Sequence, residues 1–269
     1  EKPAILDKNG KIRELSSKIK DLSPESLNFE TILKLKNIDL EKLPVISSTT
    51  RVGPCINKPG KFIAIGLNYS DHAKETGAKV PTEPIVFMKA TSCINGPNDD
   101  IELAPSSKKL DWEVELGIVI GKETKKISAK EASNFIFGYC LVNDLSERDW
   151  QIEKLGQWTK GKSHDTFGPI GPYIVTVDEI KDIKNLNLSL DINGKRMQTG
   201  NTKNMIFDVY NIVSYLSNYM SLQPGDIITT GTPPGVGMGK NPQVFLKAGD
   251  RIRLSIDNLG EQNSRVVLV

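Results

Sequence analysis

Asp111-Trp-Glu-Val-Glu-Leu-Gly-Ile-Val-Ile-Gly121 is the stretch on which the reading of this chain turns. Taken with a period of two it is a β-strand whose residues Trp112, Val114, Leu116, Ile118 and Ile120 share one apolar face. Glu113 and Glu115 then point together off the other face, roughly 7 Å apart along the strand. Two like charges held side by side repel unless a cation, an arginine or solvent neutralises them. From this segment alone, a solvent-exposed strand face and a cation site stand level.

Outward from that strand the chain is strand-rich once past Lys61. Strands are predicted at 62–67, 85–89, 112–120, 139–143, 173–177, 186–192, 226–230, 251–256 and 264–269. Asn193-Gly194 sits between two such runs and signals a two-residue hairpin, because both turn positions need φ > 0. Helices are fewer. Ser23-Pro24-Glu25 can open one, with a capping serine, proline at the first helical position and an acid in the first turn. Ser128-Ala-Lys-Glu131 is a capping box that predicts a short helix ending near Gly138. Ser146 can cap another through about Leu155, and the run 207–220 places Val209, Ile212, Val213, Leu216 and Met220 on one helical face. Strands outnumber helices and do not alternate with them, which disfavours a Rossmann fold or a TIM barrel and predicts a mixed, β-rich α+β architecture. Residues 1–55 are rich in Lys, Leu, Ser and Glu, and Pro44, Gly53, Pro54, Pro59 and Gly60 punctuate their end. They read as a small N-terminal extension, with 56–269 as the main domain.

Composition narrows the function classes. The chain has 269 residues with 35 Lys and Arg against 33 Asp and Glu, a net charge of +2. Charges of both signs are interspersed, which argues against nucleic acid as a partner. A hydrophobic fraction of 38% with 25% charged residues fits a globular protein rather than a disordered one. No apolar run approaches the roughly 18 residues that span a membrane, so a membrane partner is not expected. The opening residues, Glu1 to Glu14, are polar and carry no signal-peptide pattern. Cys55, Cys93 and Cys140 are odd in number, widely spaced and form no CxxC pair. A disulfide framework or zinc knuckle is therefore not expected, and the cysteine usage points to a reducing, cytoplasmic compartment.

Several residues can carry chemistry. Gly138-Tyr-Cys-Leu-Val-Asn-Asp144 is an apolar strand running into Asp144. With Glu113 and Glu115 it makes three carboxylates from two strands, a hard oxygen set suited to Mg²⁺ or Mn²⁺. Asp144 can equally cap a following helix. His72 and Glu75 share a face if their segment is helical, and the glutamate would then hold the imidazole for work as a general base. An ordinary surface His–Glu pair is the plainer alternative. His164 has no visible partner and reads as structural. Gly235-Val-Gly-Met-Gly239 evokes a phosphate loop, yet Lys240-Asn-Pro242 follows it instead of a helix, and it matches neither common nucleotide pattern. The run from Thr229 to Gly237 is either a tight loop that brings backbone amides and Thr232 to a ligand or a plain Pro/Gly turn.

Six motifs in order complete the pattern: Gly66-Leu-Asn-Tyr-Ser-Asp-His-Ala-Lys-Glu75, the 111–121 strand, Gly138-Tyr-Cys-Leu-Val-Asn-Asp-Leu-Ser-Glu-Arg-Asp-Trp-Gln151, Lys160-Gly-Lys-Ser163, Phe167-Gly-Pro-Ile-Gly-Pro172 and Gly231-Thr-Pro-Pro-Gly-Val-Gly237. Together they resemble the fumarylacetoacetate hydrolase family over about residues 60–269. The N-terminal piece is similar to the extension of single-catalytic-domain bacterial members named as 2-hydroxyhepta-2,4-diene-1,7-dioate isomerases or diketo-sugar-acid hydrolases. The resemblance implies a β-roll or barrel-like catalytic domain with peripheral helices, a homodimer, and a small keto-acid substrate. It also implies that Glu113, Glu115 and Asp144 ligate Mg²⁺ or Mn²⁺. His72 and Glu75 become the water-activating dyad, Lys162 the lysine beside the metal, and Gln151 and Thr232 contacts to substrate or its oxyanion. Arg148 falls where relatives place an arginine against the substrate carboxylate. The implied reaction is hydrolysis of a carbon–carbon bond in a 2,4-diketo acid, an acylpyruvate or diketo-deoxy sugar acid. Decarboxylation of an oxaloacetate-like acid, or isomerisation of a dienedioate, would use the same enolate. Leu67 stands where many acylpyruvate-cleaving members carry arginine, and Ala90 where proline is frequent; both bear on the substrate rather than the metal. The segments 68–84 and 150–164 are the expected lids.

Overall fold

Val114–Ile120 runs through the interior of a six-stranded sheet, and all seven of its residues are buried. A computed structural model describes all 269 residues, the side chain of Thr76 excepted. Ile136–Asn143 flanks the strand on one side, antiparallel, with Val114 opposite Asn143. Ile227–Thr229 flanks it on the other, also antiparallel, and is itself parallel to Phe62–Gly66. Ile85–Lys89 and Val175–Thr176 form the two edges. Burial on both faces corrects the expectation of one apolar face and one outward face. Gly117 and Val119 are as buried as Leu116 and Ile118, which is why the run is nearly continuous in its hydrophobicity. Glu115 is the one charge within that strand.

A second sheet has the order Lys195–Asn201, Asn187–Ile192, Arg251–Ile256, Gly260–Leu268 and Ile101–Leu103. Its strands do alternate. In Arg251–Ile256, Ile252, Leu254 and Ile256 are buried, while Arg251 and Arg253 are exposed. Leu188, Leu190, Ile252 and Leu254 enter the same apolar core as Leu116 and Ile118 of the first sheet. Each such side chain fully withdrawn from water contributes about 1.5–3 kcal/mol. The hairpin between Asn187–Ile192 and Lys195–Asn201 turns at Asn193 and Gly194, with φ of 51° and 77° as the turn requires. The architecture is mixed, strand-rich α+β, and neither sheet closes into a barrel.

Helix Val209–Tyr219 is capped by Asp208, whose side chain accepts from the Asn211 N–H, and it buries Val209, Ile212, Val213 and Leu216. Three expected helices are corrected. At Ser23 the chain makes a turn in which the Ser26 and Leu27 N–H groups both donate to the Ser23 carbonyl, and the helix starts later, at Phe29–Lys36, capped by Asn28. The Ser26 hydroxyl donates to the Asp21 carbonyl, the kind of local bond that competes with helix. Ser128 and Glu131 do bond, Oγ to Oε2 at 2.6 Å, but only the 3₁₀ turn Ala132–Asn134 follows before strand pairing begins at Ile136. Ser146 caps nothing: Ser146–Glu147 pairs with Leu110–Asp111, and a π-helical turn, Asp149–Glu153, comes next. In the N-terminal segment Leu15, Ile19 and Leu43 form a small apolar cluster of their own, whereas Leu27 and Ile32 join the main core. Among the described residues no helix is long and apolar enough to cross a membrane. All three cysteines are free and buried.

Candidate active site

Glu113, Glu115 and Asp144 come together because the two strands that carry them are antiparallel neighbours, with the Asp144 N–H donating to the Glu113 carbonyl. One carboxylate oxygen from each lies within 4.8 Å of the other two, and all three residues are buried. The solvent-exposed reading of the two glutamates is thereby excluded. Asp144 caps no helix. Its Oδ2 accepts from Lys162 Nζ at 2.7 Å, and its Oδ1 lies 2.7 Å from Lys89 Nζ yet receives no well-directed hydrogen bond. Lys162 Nζ also donates to Glu113 Oε2 at 2.7 Å. Arg148 Nη2 donates to Glu113 Oε1 at 2.6 Å, and its Nε donates to Asp111 Oδ2 at 2.9 Å. Glu115 Oε2 accepts from the Thr229 hydroxyl and from the Gly231 N–H at 2.8 Å.

Four carboxylates thus face three cations, Lys89, Lys162 and Arg148, and the protein resolves the imbalance unevenly. Burial would raise the Glu113 carboxyl, but the charges of Lys162 and Arg148 outweigh it and hold Glu113 at about 2. The charge of Lys162 favours an ionised Glu115 too, but less than its surroundings oppose it. Burial first, then the charges of Asp144 and Glu113, push its carboxyl well above the ordinary range. Burial would lower Lys162, yet Asp144 and Glu113 raise it, so the ammonium stays charged. Burial, then the charge of Glu115, also pushes the Tyr69 phenol up; its hydroxyl is buried with no hydrogen-bond partner among the described residues.

The residues present fit a small hard dication. The donors are carboxylate oxygens, their spacing approaches the span of ligands around one ion, and Asp144 Oδ1 is a buried acceptor lacking a directed donor. The excess carboxylate is the feature a second positive charge would relieve.

His72 and Glu75 lie on helix Ser70–Thr76, and their spacing brings His72 Nδ1 to 3.0 Å from Glu75 Oε2. The imidazole is nearly buried, and the Glu75 side chain is 21% exposed. The Gly235 N–H donates to the same carboxylate, at 3.0 and 3.1 Å from its two oxygens. Within this glycine-rich segment the Gly237 and Met238 N–H groups donate to Asp111 at 2.6 and 3.0 Å. Its amides are therefore turned on two of the protein's own carboxylates, and no phosphate loop is formed.

The remaining expected residues fall as follows. Gln151 is buried and its carbonyl accepts from Arg148 Nη1 at 2.9 Å. Asp111, Glu113 and Gln151 all accept from the Arg148 guanidinium, which sets it against Glu113. Thr232 donates its hydroxyl proton to the Val114 carbonyl and accepts from Gln198 Nε2. His164 packs between Trp150 and Phe167, ring centroids 5.7 and 4.9 Å away. Of the two lid segments, 68–84 begins with Asn68 tied to Phe207 and Thr230, while 150–164 contains Leu155, fully exposed at φ 62°. Lys89 and Asp111 were missed. A lysine ending the apolar strand Ile85–Lys89 was the available signal for the first, and the acid opening the decisive strand for the second. A recess of about 540 Å³ lined by Phe29, Tyr139, Ile183 and Tyr210 lies apart from all of these groups.

The strand-rich α+β fold thus brings together three buried carboxylates that could hold a cation, two lysines and a His–Glu pair. Residues 61–267 match the family model for the fumarylacetoacetate hydrolase C-terminal domain, and the chain belongs to that family. It is 56% identical over 263 residues, 97% of this chain and 93% of the other, to a Burkholderia ambifaria protein that bears a provisional hydrolase name. A fumarylacetoacetate hydrolase from Exiguobacterium antarcticum superposes with a TM-score of 0.90 at 34% identity, over 100% of this chain and 95% of that one. Maleylpyruvate hydrolase from Sphingobium sp. SYK-6, solved with manganese(II) and pyruvate, gives 0.85 at 28% identity over 99% and 96%.

Proposed function

We infer that this chain hydrolyses a carbon–carbon bond of a 2,4-diketo acid of the acylpyruvate class, with Glu113, Glu115 and Asp144 holding Mg²⁺ or Mn²⁺. The charge balance carries the reading. With Glu115 ionised and a dication in place, the four carboxylates and three cations leave one net positive charge, which an anionic keto acid would neutralise. The likeness to a maleylpyruvate hydrolase solved with manganese(II) and pyruvate supports the same ion and product class.

When bound, the dication supplies Lewis acidity that polarises an α-keto acid and holds enolate charge. The chain's own residues do the rest. Glu75 holds His72 through Nδ1, and the imidazole so positioned takes a proton from water. The Lys162 ammonium stays charged beside Glu113 and Asp144, where negative charge grows on the substrate oxygens. Arg148 and Lys89 keep Glu113 and Asp144 from turning away. A second reading, isomerisation of a dienedioate without water, is favoured by a 2-hydroxyhepta-2,4-diene-1,7-dioate isomerase from Mycobacterium marinum. That structure is 36% identical with a TM-score of 0.69, over 86% of this chain and 80% of that one.

The test is a Mn²⁺-supplemented assay on acetylpyruvate, oxaloacetate and a heptadienedioate. Pyruvate release from acetylpyruvate is expected, and His72→Ala should lower kcat by about 10²–10⁴, the range that a positioned general base supplies. Full kcat in that variant, or turnover of the dienedioate alone, would overturn the hydrolytic reading.

A further inference from the structure

The Gly235–Gly239 segment matches no ligand-binding pattern, yet its backbone is held from several sides. We propose that Asp111 is a positioning residue that couples the His72–Glu75 pair to the carboxylate cluster, acting through this loop on one side and through Arg148 on the other. The contacts form one unbroken chain. His72 Nδ1 meets Glu75 Oε2 at 3.0 Å, and Glu75 accepts from the Gly235 N–H. Two residues on, Gly237 and Met238 donate to Asp111 Oδ1 and Oδ2. Asp111 Oδ2 accepts from Arg148 Nε, and Arg148 Nη2 donates to Glu113 Oε1. Asp111 is completely buried, so no water substitutes for any of these partners.

The alternating glycines follow from this packing. A Cβ at Gly235, where φ is 109°, would lie 2.0 Å from the Met197 carbonyl oxygen. One at Gly237 would lie 1.9 Å from the Val244 carbonyl oxygen and 2.9 Å from Asp111 Oδ1, and one at Gly239 would lie 3.0 Å from Glu75 Cδ. At these three positions a side chain would collide, so glycine there lets the loop pass between Glu75 and Asp111 and present the Gly235, Gly237 and Met238 amides to them. Trp112 Nε1 donates to the Gly235 carbonyl at 3.2 Å and fixes the loop from a third direction.

Asp111→Asn is the sharp variant. Each carboxylate oxygen of Asp111 accepts one loop N–H, and an amide nitrogen cannot accept, so one arm is lost whichever way the amide turns. His72 and His164 are the two histidines of the chain, so side-chain ¹⁵N spectra of this 269-residue chain resolve two imidazoles. In the variant the His72 ring nitrogens should move away from their wild-type positions while those of His164 stay in place. Mg²⁺ affinity should also fall by about tenfold, the scale typical of groups that orient metal ligands. If Asp111 were merely the counter-ion of Arg148, Mg²⁺ affinity would fall with the His72 signals unchanged, and the coupling would be refuted. Should Asp111→Asn fail to fold, Trp112→Phe decides. It removes the indole N–H that holds Gly235 and touches no carboxylate; a displaced His72 signal supports the coupling, and an unmoved one overturns it.

Discussion

The charge cluster around Glu113 and the ion pairs on the outer face of the five-stranded sheet use the same kinds of side chain at the same distances. On that face Arg196 meets Asp191 at 2.6 Å, Arg253 meets Glu261 at 2.6 Å and Arg265 meets Asp100 at 2.8 Å, each arginine more than half exposed. Lys162 meets Glu113 and Asp144 at 2.7 Å with almost no exposure. Distance does not separate the two regions; solvent does. Water and salt screen the outer pairs, whereas the inner charges have given up hydration and depend on each other. The outer pairs can therefore be deleted singly, and the inner ones form a unit in which each loss exposes a neighbour.

The largest expected effect is that of Lys162→Met, which leaves Glu113 and Asp144 facing one another with one cation fewer. Urea denaturation of the metal-free variant should show a loss of about 3–5 kcal/mol, the cost of stranding a buried charge. Saturating Mn²⁺ should recover part of it. A variant as stable as wild type without metal would erase the distinction between the two regions.

A smaller effect concerns pH. Folding raises the Glu115 carboxyl well above 4.5. Its contribution to stability is therefore present below that value and lost as pH rises toward the raised one. Glu113 has the opposite sign: its contribution is present above 4.5 and lost as pH falls toward about 2. Metal-free wild type should thus lose stability relative to Glu115→Gln as pH climbs from 5 upward, with a slope approaching about 1.4 kcal/mol per pH unit for one proton. Parallel stability–pH curves for the two proteins would show that Glu115 does not titrate as described. The least effect belongs to the outer face, where Arg253→Ala and Arg265→Ala should leave the denaturation midpoint within error of wild type at 0.15 M salt. A clear fall would mean that the surface pairs act as a network.

Much of the fold was legible locally. Arg251–Ile256 alternates because one face of its sheet meets solvent, and Asn193-Gly194 marks the turn between Asn187–Ile192 and Lys195–Asn201 through its need for positive φ. The Val209–Tyr219 helix shows its buried face in its spacing. Ser128 and Ser146 misled because capping is a local preference worth about 1 kcal/mol, and strand pairing at Ile136 and Ser146 outweighs it. In the site, the His72–Glu75 pair was readable because helix geometry sets it over three residues. Lys89, Asp111 and the pairing of Arg148 with Asp111 and Glu113 were not, since each of those contacts spans dozens of residues of chain.

What the sequence determined by itself was the set of chemical groups: three acids at two strand ends, a His–Glu pair at helical spacing, and a strand-rich frame to hold them. Those follow from periodicity and side-chain chemistry, which act between near neighbours. Only the tertiary structure decided that the acids are buried rather than wet, that Arg148 lies against Asp111 and Glu113, and that a glycine loop touches both Glu75 and Asp111. Desolvation and charge pairing depend on everything packed around a group, and no window of sequence contains that.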